Sequence, residues 1–203
     1  YAVIEMGANH LGEIEWLSKI SSPNIAVITQ CAPAHLEGFK NVESIAKAKA
    51  EIFSGLQTSG TAIINADDIY FDFWKNSCKE INQLTFGIKT KNADVRAENI
   101  KLSMDDLLIN FTLISTHGSV EICLPMLGEH NVMNALAATS CCLSLDISLQ
   151  SIKDGLENIK SIKGRLEIKI GKKHVRIIDD TYNANPTSLD AAIETLCGFN
   201  GLH

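Results

Sequence analysis

The sequence predicts an α/β fold in which a mainly parallel central sheet is flanked by helices. Two observations indicate this. Short apolar runs alternate with helix-like stretches over roughly the first ninety residues, and strands that are separated by helices usually pair in parallel. From about Ala93 onward, strand-like runs follow one another without helices between them, which predicts a small antiparallel insertion beside the sheet.

The predicted elements can be placed in chain order. The first part is expected to hold strands and helices in alternation, at residues 2–6, 12–20, 25–29, 41–56, 61–65, 67–76 and 84–86. The antiparallel part should hold strands at residues 95–102, 107–115 and 120–124, followed by helices at residues 130–145 and 148–159. After Lys163-Gly164, two strands and a helix are expected at residues 165–170, 175–178 and 187–196. We therefore predict one domain over residues 1–162 and the beginning of another over residues 163–203.

Composition excludes several classes of protein. The 203 residues carry 18 basic and 24 acidic side chains, a net charge of −6, and no basic patch that would favour nucleic-acid binding. No apolar run approaches the roughly 18 residues of a membrane span. The six cysteines form no CxxC pair, so we expect a protein of the reducing cytoplasm. Because the chain starts with Tyr1 at a predicted strand and stops just after a predicted helix, we expect an internal piece of a longer protein.

Two lysines in the predicted helix 41–56 occupy different faces. Lys49 falls within the apolar stripe, whereas Lys47 lies on another face with Glu43 and Glu51 as surface partners. Burial lowers the pKa of a lysine, and a neutral amine can react with carbon dioxide to give a carbamate. The alternative is a lysine that extends its charge into solvent from the edge of the stripe, and periodicity alone favours that alternative.

Glu5 ends the first predicted strand, and His35 lies in the loop after the second. Ligands of doubly wound sheets bind beyond the carboxyl ends of the strands, so both side chains can converge on one crevice with Lys49. A carboxylate, an imidazole and a carbamate would suit a magnesium ion. A solvated strand end and a loop histidine bonded to backbone are the alternatives. The sequence holds no glycine-rich phosphate loop, so a nucleotide enzyme would need phosphate-binding residues from outside this chain.

Three later positions carry groups that suit a nucleotide. Asn131 and Asn134 share a face of the predicted helix 130–145, and a side-chain amide can pair with an adenine edge. Arg165 could reach a phosphate, and Asp180 could accept hydrogen bonds from ribose hydroxyls. For the two asparagines the alternative is helix capping with a buried hydrogen bond. For Arg165 the alternative is a surface pair with Glu167, and for Asp180 it is turn chemistry.

Six motifs in order resemble those of the Mur ligases. They read EMGANH at 5–10, AHLEGF at 34–39, AKAKAEIF at 46–53, GEHNVMN at 128–134, KGRLE at 163–167 and DDTYNANP at 179–186. The resemblance implies a cytoplasmic enzyme with three domains, which hold a UDP-sugar, bind ATP and receive an amine. This chain would cover most of the central ATPase domain and the opening of a Rossmann-like third domain.

The resemblance also assigns roles by position. It implies that Lys49 is carbamylated and catalytic and supports a magnesium ion, with Glu5 and His35 as ligands of that ion. For ATP it implies an adenine contact at Asn131, a ribose contact at Asp180 and a catalytic phosphate contact at Arg165. Without the family's phosphate loop, the chain alone is expected to be inactive.

The AHLEGF and DDTYNANP strings point to one member of the family. They resemble the type that uses ATP to join D-alanyl-D-alanine to UDP-N-acetylmuramoyl-tripeptide, through an acyl phosphate, in peptidoglycan precursor synthesis. Such an enzyme would act as a monomer, without nucleic acid. Two alternatives stay open: another amide ligase of the superfamily, of the diaminopimelate-adding or folylpolyglutamate type, and a non-catalytic truncated homologue.

Overall fold

The computed structural model describes residues 1–32, 39, 41–103, 105–160, 163–172, 175–182 and 186–199. The chain forms two compact units, Tyr1–Arg96 with Leu136–Ile147, and Ala97–Ala135 with Ser148–His203. This division describes packing within the chain. The domain boundary expected at residue 163 stays a prediction.

The first unit is built on parallel strands. Its strands are β1 (Ile25–Ile28), β2 (Thr61–Asn65) and β3 (Asn82–Gly87), and its helices are α1 (Glu13–Ser21), α2 (Val42–Ala50), a 3₁₀ helix (Glu51–Gly55) and α3 (Phe71–Ser77). β1 pairs with β2 and β2 with β3, both in parallel. The last four residues of β2 are all buried, as expected for a strand covered on both faces.

The second unit contains the antiparallel part. Strand β4 (Val95–Ser103) begins in the first unit, where Val95 pairs in parallel with Phe86, and continues into the second. Strands β5 (Leu108–Ser115) and β6 (Gly118–Leu124) pair antiparallel, and the strand order is β1-β2-β3-β4-β5-β6. The predicted α/β fold with a mainly parallel sheet and an antiparallel insertion is therefore confirmed.

The remaining elements also match the predicted order. They are α4 (Glu129–Leu143), which continues into the first unit, α5 (Leu149–Glu157), the antiparallel pair β7 (Glu167–Ile170) and β8 (Arg176–Asp179), and α6 (Pro186–Cys197). Across the described ranges, no helix has both the length and the apolar character required to cross a bilayer. All six cysteines are free thiols.

The core of the first unit forms where small residues let elements approach. Ala26 and Ala62 of the strands and Ala46 of α2 pack with the larger Phe53 and Trp74. The buried indole Nε1 of Trp74 donates to the carbonyl oxygen of Ala46 at 3.0 Å, so its polar atom is satisfied inside the core. This packing fixes α2, which carries Lys47 and Lys49, against the sheet.

Three local predictions were wrong. Residues 2–6 form no strand, and Val3 is fully exposed at 100%. A strand needs a neighbouring strand to bond its backbone groups, and none of the ladders within the described residues includes this segment. The spacing of Ile14, Leu17 and Ile20 predicts one apolar side of α1, but Ile14 is buried whereas Ile20 is exposed. The expected helix 41–56 is α2 followed by a 3₁₀ helix that ends at Gly55.

Helix α5 covers polar groups on the edge strand β6. Lys153 Nζ donates to the carbonyl oxygen of Glu121 at 2.5 Å, and Glu157 Oε1 accepts from the backbone N–H of Cys123 at 2.9 Å. The two side chains also pair with each other, and each is only 25% exposed. An open edge strand invites pairing with other chains, so this ion pair protects β6 as well as holding α5.

We expect Glu157→Ala to lower the free energy of unfolding by about 1–2 kcal/mol, because it leaves the Cys123 N–H and the Lys153 ammonium without their shared acceptor. Urea denaturation followed by circular dichroism would measure the change. Glu43→Ala is the matched control, since Glu43 forms an i,i+4 pair with Lys47 on an exposed helix face. Equal losses of unfolding free energy in Glu157→Ala and Glu43→Ala would contradict a specific role of Glu157 at the edge strand β6.

Candidate functional site

In the first unit, the chain segments that leave β1 and β2 are joined at the carboxyl edge of the sheet. Asn65, the last residue of β2, donates from Nδ2 to the carbonyl oxygen of Thr29 at 2.7 Å. The backbone N–H of Cys31 donates to Asp68 Oδ2, also at 2.7 Å. Polar side chains therefore link the segments that follow β1 and β2, at the edge where open α/β sheets bind ligands.

Lys49 lies close to this edge. It is half-buried, whereas Lys47 is exposed and pairs with Glu43 at 2.8 Å. Burial and the Asp68 carboxylate raise the pKa of the Cys31 thiol, and the positive charge of Lys49 acts in the opposite direction. This interaction places the Lys49 ammonium near the end of β1, in an environment different from that of Lys47.

The other two predicted metal ligands are Glu5 and His35. Glu5 is exposed in an irregular segment, and His35 lies outside the described residues. Ala8, three residues after Glu5, packs against the cluster of Phe39, Ile45 and Ala48, so the segment after Glu5 contacts α2. Among the residues that the structure describes, no three His, Cys, Asp or Glu side chains come together as a metal site would require.

Asp67, which sequence reasoning missed, binds the backbone segment that follows β3. Its carboxylate accepts from the backbone N–H groups of Ile88, Lys89 and Thr90 at 2.6, 2.9 and 2.8 Å. Burial by itself would raise the pKa of Asp67, but these hydrogen bonds outweigh it and hold that pKa below its usual value. The signal was present in the sequence, because the polar run Asn65-Ala66-Asp67-Asp68 comes directly after the apolar residues of a predicted strand.

Glu51 also has a role that its position in the predicted helix 41–56 did not indicate. Instead of a surface contact with Lys47, its carboxylate accepts from the backbone N–H of Gly12, at 2.8 Å to Oε1 and 2.9 Å to Oε2. It accepts from the N–H of Glu15 at 3.3 Å as well. Glu51 therefore joins the start of α1 to the end of α2.

In the second unit, Asn131 is buried, with 8% exposure. Its Nδ2 donates to the carbonyl oxygen of Leu127 at 2.7 Å, and its Oδ1 accepts from Asn134 at 3.3 Å. The expected pairing of the two asparagines is thus present, and so is the buried hydrogen bond of the structural alternative. A side-chain amide has two donor hydrogens and two acceptor sites, so one of each is left after these bonds.

Arg165 and Asp180 come together through the segments that flank β7 and β8. The Arg165 guanidinium stacks on the Tyr182 ring, 4.4 Å from its centroid, instead of pairing with Glu167. Asp180 Oδ1 accepts from the N–H of Leu166 at 3.1 Å. Desolvation lowers the pKa of His130, and the negative charge of Asp180 acts against this shift. His130, which belongs to the GEHNVMN motif, therefore lies near Asp180.

Comparison with known proteins identifies the family. A family model described as the Mur ligase middle domain matches residues 1–142. The chain belongs to the Mur ligase family.

Similarity to individual Mur ligases extends over nearly the whole chain. The UDP-N-acetylmuramoyl-tripeptide–D-alanyl-D-alanine ligase of Haemophilus influenzae is 45% identical over 201 residues, which are 98% of this chain and 42% of the relative. A crystal structure of MurF from Acinetobacter baumannii superimposes with a TM-score of 0.92 at 41% identity, over 99% of this chain and 43% of that one.

A second solved structure adds a nucleotide. MurF ligase from Thermotoga maritima, in complex with ADP, matches with a TM-score of 0.81 at 27% identity, over 94% of this chain and 43% of that chain. The chain therefore spans about two fifths of the length of the Mur ligases that it matches.

We expect Lys169→Met to raise the pKa of Asp179 toward its ordinary value. The hydrogen bond from Lys169, followed by that from Thr181, holds this pKa at about 2. A depressed carboxyl pKa stabilises the fold above the unfolded value of about 4, and the stabilisation is lost as pH falls through about 2. Carboxyl ¹³C chemical shifts recorded against pH would give both pKa values. Lys172→Met, a charge change on the same hairpin, is the control and should leave Asp179 unchanged.

Proposed function

We propose that this chain forms the central part of an ATP-dependent ligase that joins D-alanyl-D-alanine to UDP-N-acetylmuramoyl-tripeptide. The observation that carries the proposal is the match to MurF from Acinetobacter baumannii over 99% of the chain. The name of the Haemophilus influenzae relative supplies the two substrates. The ADP bound to the Thermotoga maritima enzyme supports ATP as the nucleotide.

The proposed reaction has two steps. The tripeptide carboxylate attacks the γ-phosphorus of ATP, which forms an acyl phosphate and releases ADP. The amine of D-alanyl-D-alanine then attacks the acyl carbon, an amide bond forms, and phosphate leaves. Both steps bring anionic or electron-rich groups together, so the chain's main contribution is to position them and to offset their charge.

In the first unit we assign Glu5, His35 and Lys49 to a magnesium site. Their oxygen and nitrogen donors suit this cation only if Lys49 is a carbamate, since an ammonium repels a cation by about 4 kcal/mol per unit charge at about 4 Å and an effective dielectric near 20. The half-buried position of Lys49 beside the end of β1 supports this assignment. When bound, magnesium would offset the repulsion between the carboxylate and the γ-phosphate.

In the second unit we assign Asn131, Asp180 and Arg165 to ATP. The free donor and acceptor of the Asn131 amide can pair with the adenine edge, and the oxygens of Asp180 can accept from ribose hydroxyls. Arg165 would place its guanidinium on a phosphate, where paired N–H donors match the oxygens. Stacking on Tyr182 supports this role, because it orients the guanidinium before the nucleotide binds.

The alternative readings are less well supported. A diaminopimelate-adding or folylpolyglutamate ligase does not fit the name of the Haemophilus influenzae relative, which shares 45% of its aligned residues with this chain. A non-catalytic homologue would have no catalytic use for the half-buried Lys49 of the AKAKAEIF motif.

The 203-residue chain expressed alone should show no ligase activity, because its sequence contains no GxxxxGK[ST] loop to hold the phosphates. ADP formation would be measured with a coupled assay in the presence of UDP-tripeptide and D-alanyl-D-alanine. ADP release that requires both substrates would contradict the expectation.

In the complete ligase that contains this chain, Lys49→Ala should lower kcat at least 100-fold, and short carboxylic acids should restore part of the rate by replacing the carbamate. Lys47→Ala is the matched control on the same helix and should stay within about threefold of the wild type, since its exposed ion pair contributes little. Steady-state ADP release would measure both. Equal losses would show that the assignment of the two lysines is wrong.

A further inference from the structure

The start of α1 is capped by a side chain from a distant part of the chain. Gly12 occupies the N-cap position with φ of 89° and has no side chain to accept the free N–H groups of the first turn. Glu51, 39 positions later, accepts from the N–H of Gly12 with both carboxylate oxygens and from the N–H of Glu15 with one of them. Negative charge at a helix N-terminus is also favoured by the helix dipole.

The turn before α1 is held by a second carboxylate. Glu13 Oε2 accepts from the N–H groups of Asn9 and His10 at 2.7 and 3.2 Å. Hydrogen bonds from Asn9, His10 and Gly12 thus fix the backbone that follows Glu5 in the EMGANH motif. Glu13 holds this turn to α1 itself, whereas Glu51 holds it to the AKAKAEIF motif.

Glu51 is itself firmly attached to the end of α2. Its backbone N–H donates to the carbonyl oxygens of Ala48 and Lys49. One residue further on, the carbonyl oxygen of Ile52 accepts from Ser18 Oγ of α1 at 2.5 Å. Gly55 approaches so closely that a Cβ there would lie 2.2 Å from the backbone of Ser18. The contact between α1 and the 3₁₀ helix therefore leaves little freedom for relative movement.

We propose that Glu51 is a positioning residue, which holds the turn of residues 9–12, and with it the segment that begins at Glu5, at a fixed place relative to Lys49. Glu51 contacts neither substrate nor metal in this role. The inference rests on the proposed function for the roles of Glu5 and Lys49, but the contact between Glu51 and the turn does not depend on that function.

The contact can be tested in the 203-residue chain by amide hydrogen exchange. Glu51→Ala should speed exchange at Gly12 and Glu15 by at least tenfold. Glu51→Gln should have a smaller effect, because its carbonyl oxygen can still accept both N–H groups. Glu43→Ala, which removes a carboxylate from α2, should leave both rates unchanged. Unaltered exchange in Glu51→Ala would overturn the proposal.

The positioning role is tested in the complete ligase. Glu51→Ala should lower kcat at least tenfold and raise the magnesium concentration needed for half-maximal rate, with the KM for ATP within twofold of the wild type. Glu51→Gln should fall between Glu51→Ala and the wild type, and Glu43→Ala should match the wild type. If Glu51→Ala does not fold, Glu51→Gln decides the question by the same readouts.

A purely structural role would give a different pattern: a lower Tm, with kcat per folded molecule and the magnesium dependence unchanged. That pattern, or wild-type kcat in Glu51→Ala, would overturn the positioning role while leaving the proposed function intact. If the complete wild-type enzyme has no ligase activity, both the proposed function and the positioning role are refuted. The amide exchange rates at Gly12 and Glu15 would still show whether Glu51 binds the turn.

Discussion

The parallel register of β1, β2 and β3 determines where the candidate side chains of the first unit lie. Ile28 aligns with Ile64, and Ile64 with Thr85, so the three strands end at the same edge. Because neighbouring strands are about 4.8 Å apart, the segments that follow them meet without any long connection. The bonds from Asn65 to Thr29 and from Cys31 to Asp68 are direct consequences of this register.

At this edge several backbone N–H groups beyond the strands donate to carboxylates. Asp68 accepts from Cys31, and Asp67 accepts from three consecutive N–H groups after β3. The hydrogen bonds that lower the pKa of Asp67 favour its charged form. A polyphosphate bound beside such an edge needs positive charge between itself and these carboxylates. That requirement agrees with the magnesium ion proposed above, which would supply such a charge.

The sequence predicts those features that depend on local pattern. Apolar runs located β1 and β2 to within one residue, and helical periodicity separated the environments of Lys47 and Lys49. The segment 2–6 has the same apolar pattern as β1, but whether a strand forms depends on a neighbouring strand, which its own residues do not encode. The partner of Glu51 is 39 positions away in sequence, and helix spacing suggested only Lys47.

The second unit shows the same dependence on partners that are distant in sequence. Arg165 and Asp180 belong to separate motifs and were predicted as separate nucleotide contacts. The antiparallel register, in which Glu167 pairs with Asp179, brings the residues on either side of that pair together. Asp180 then accepts from Leu166, which has a positive φ of 47°, and the Arg165 guanidinium stacks on Tyr182. One hairpin register therefore sets the positions of both residues. If Asp180 binds a ribose and Arg165 a phosphate, as proposed above, this hairpin register sets where the two contacts lie relative to each other.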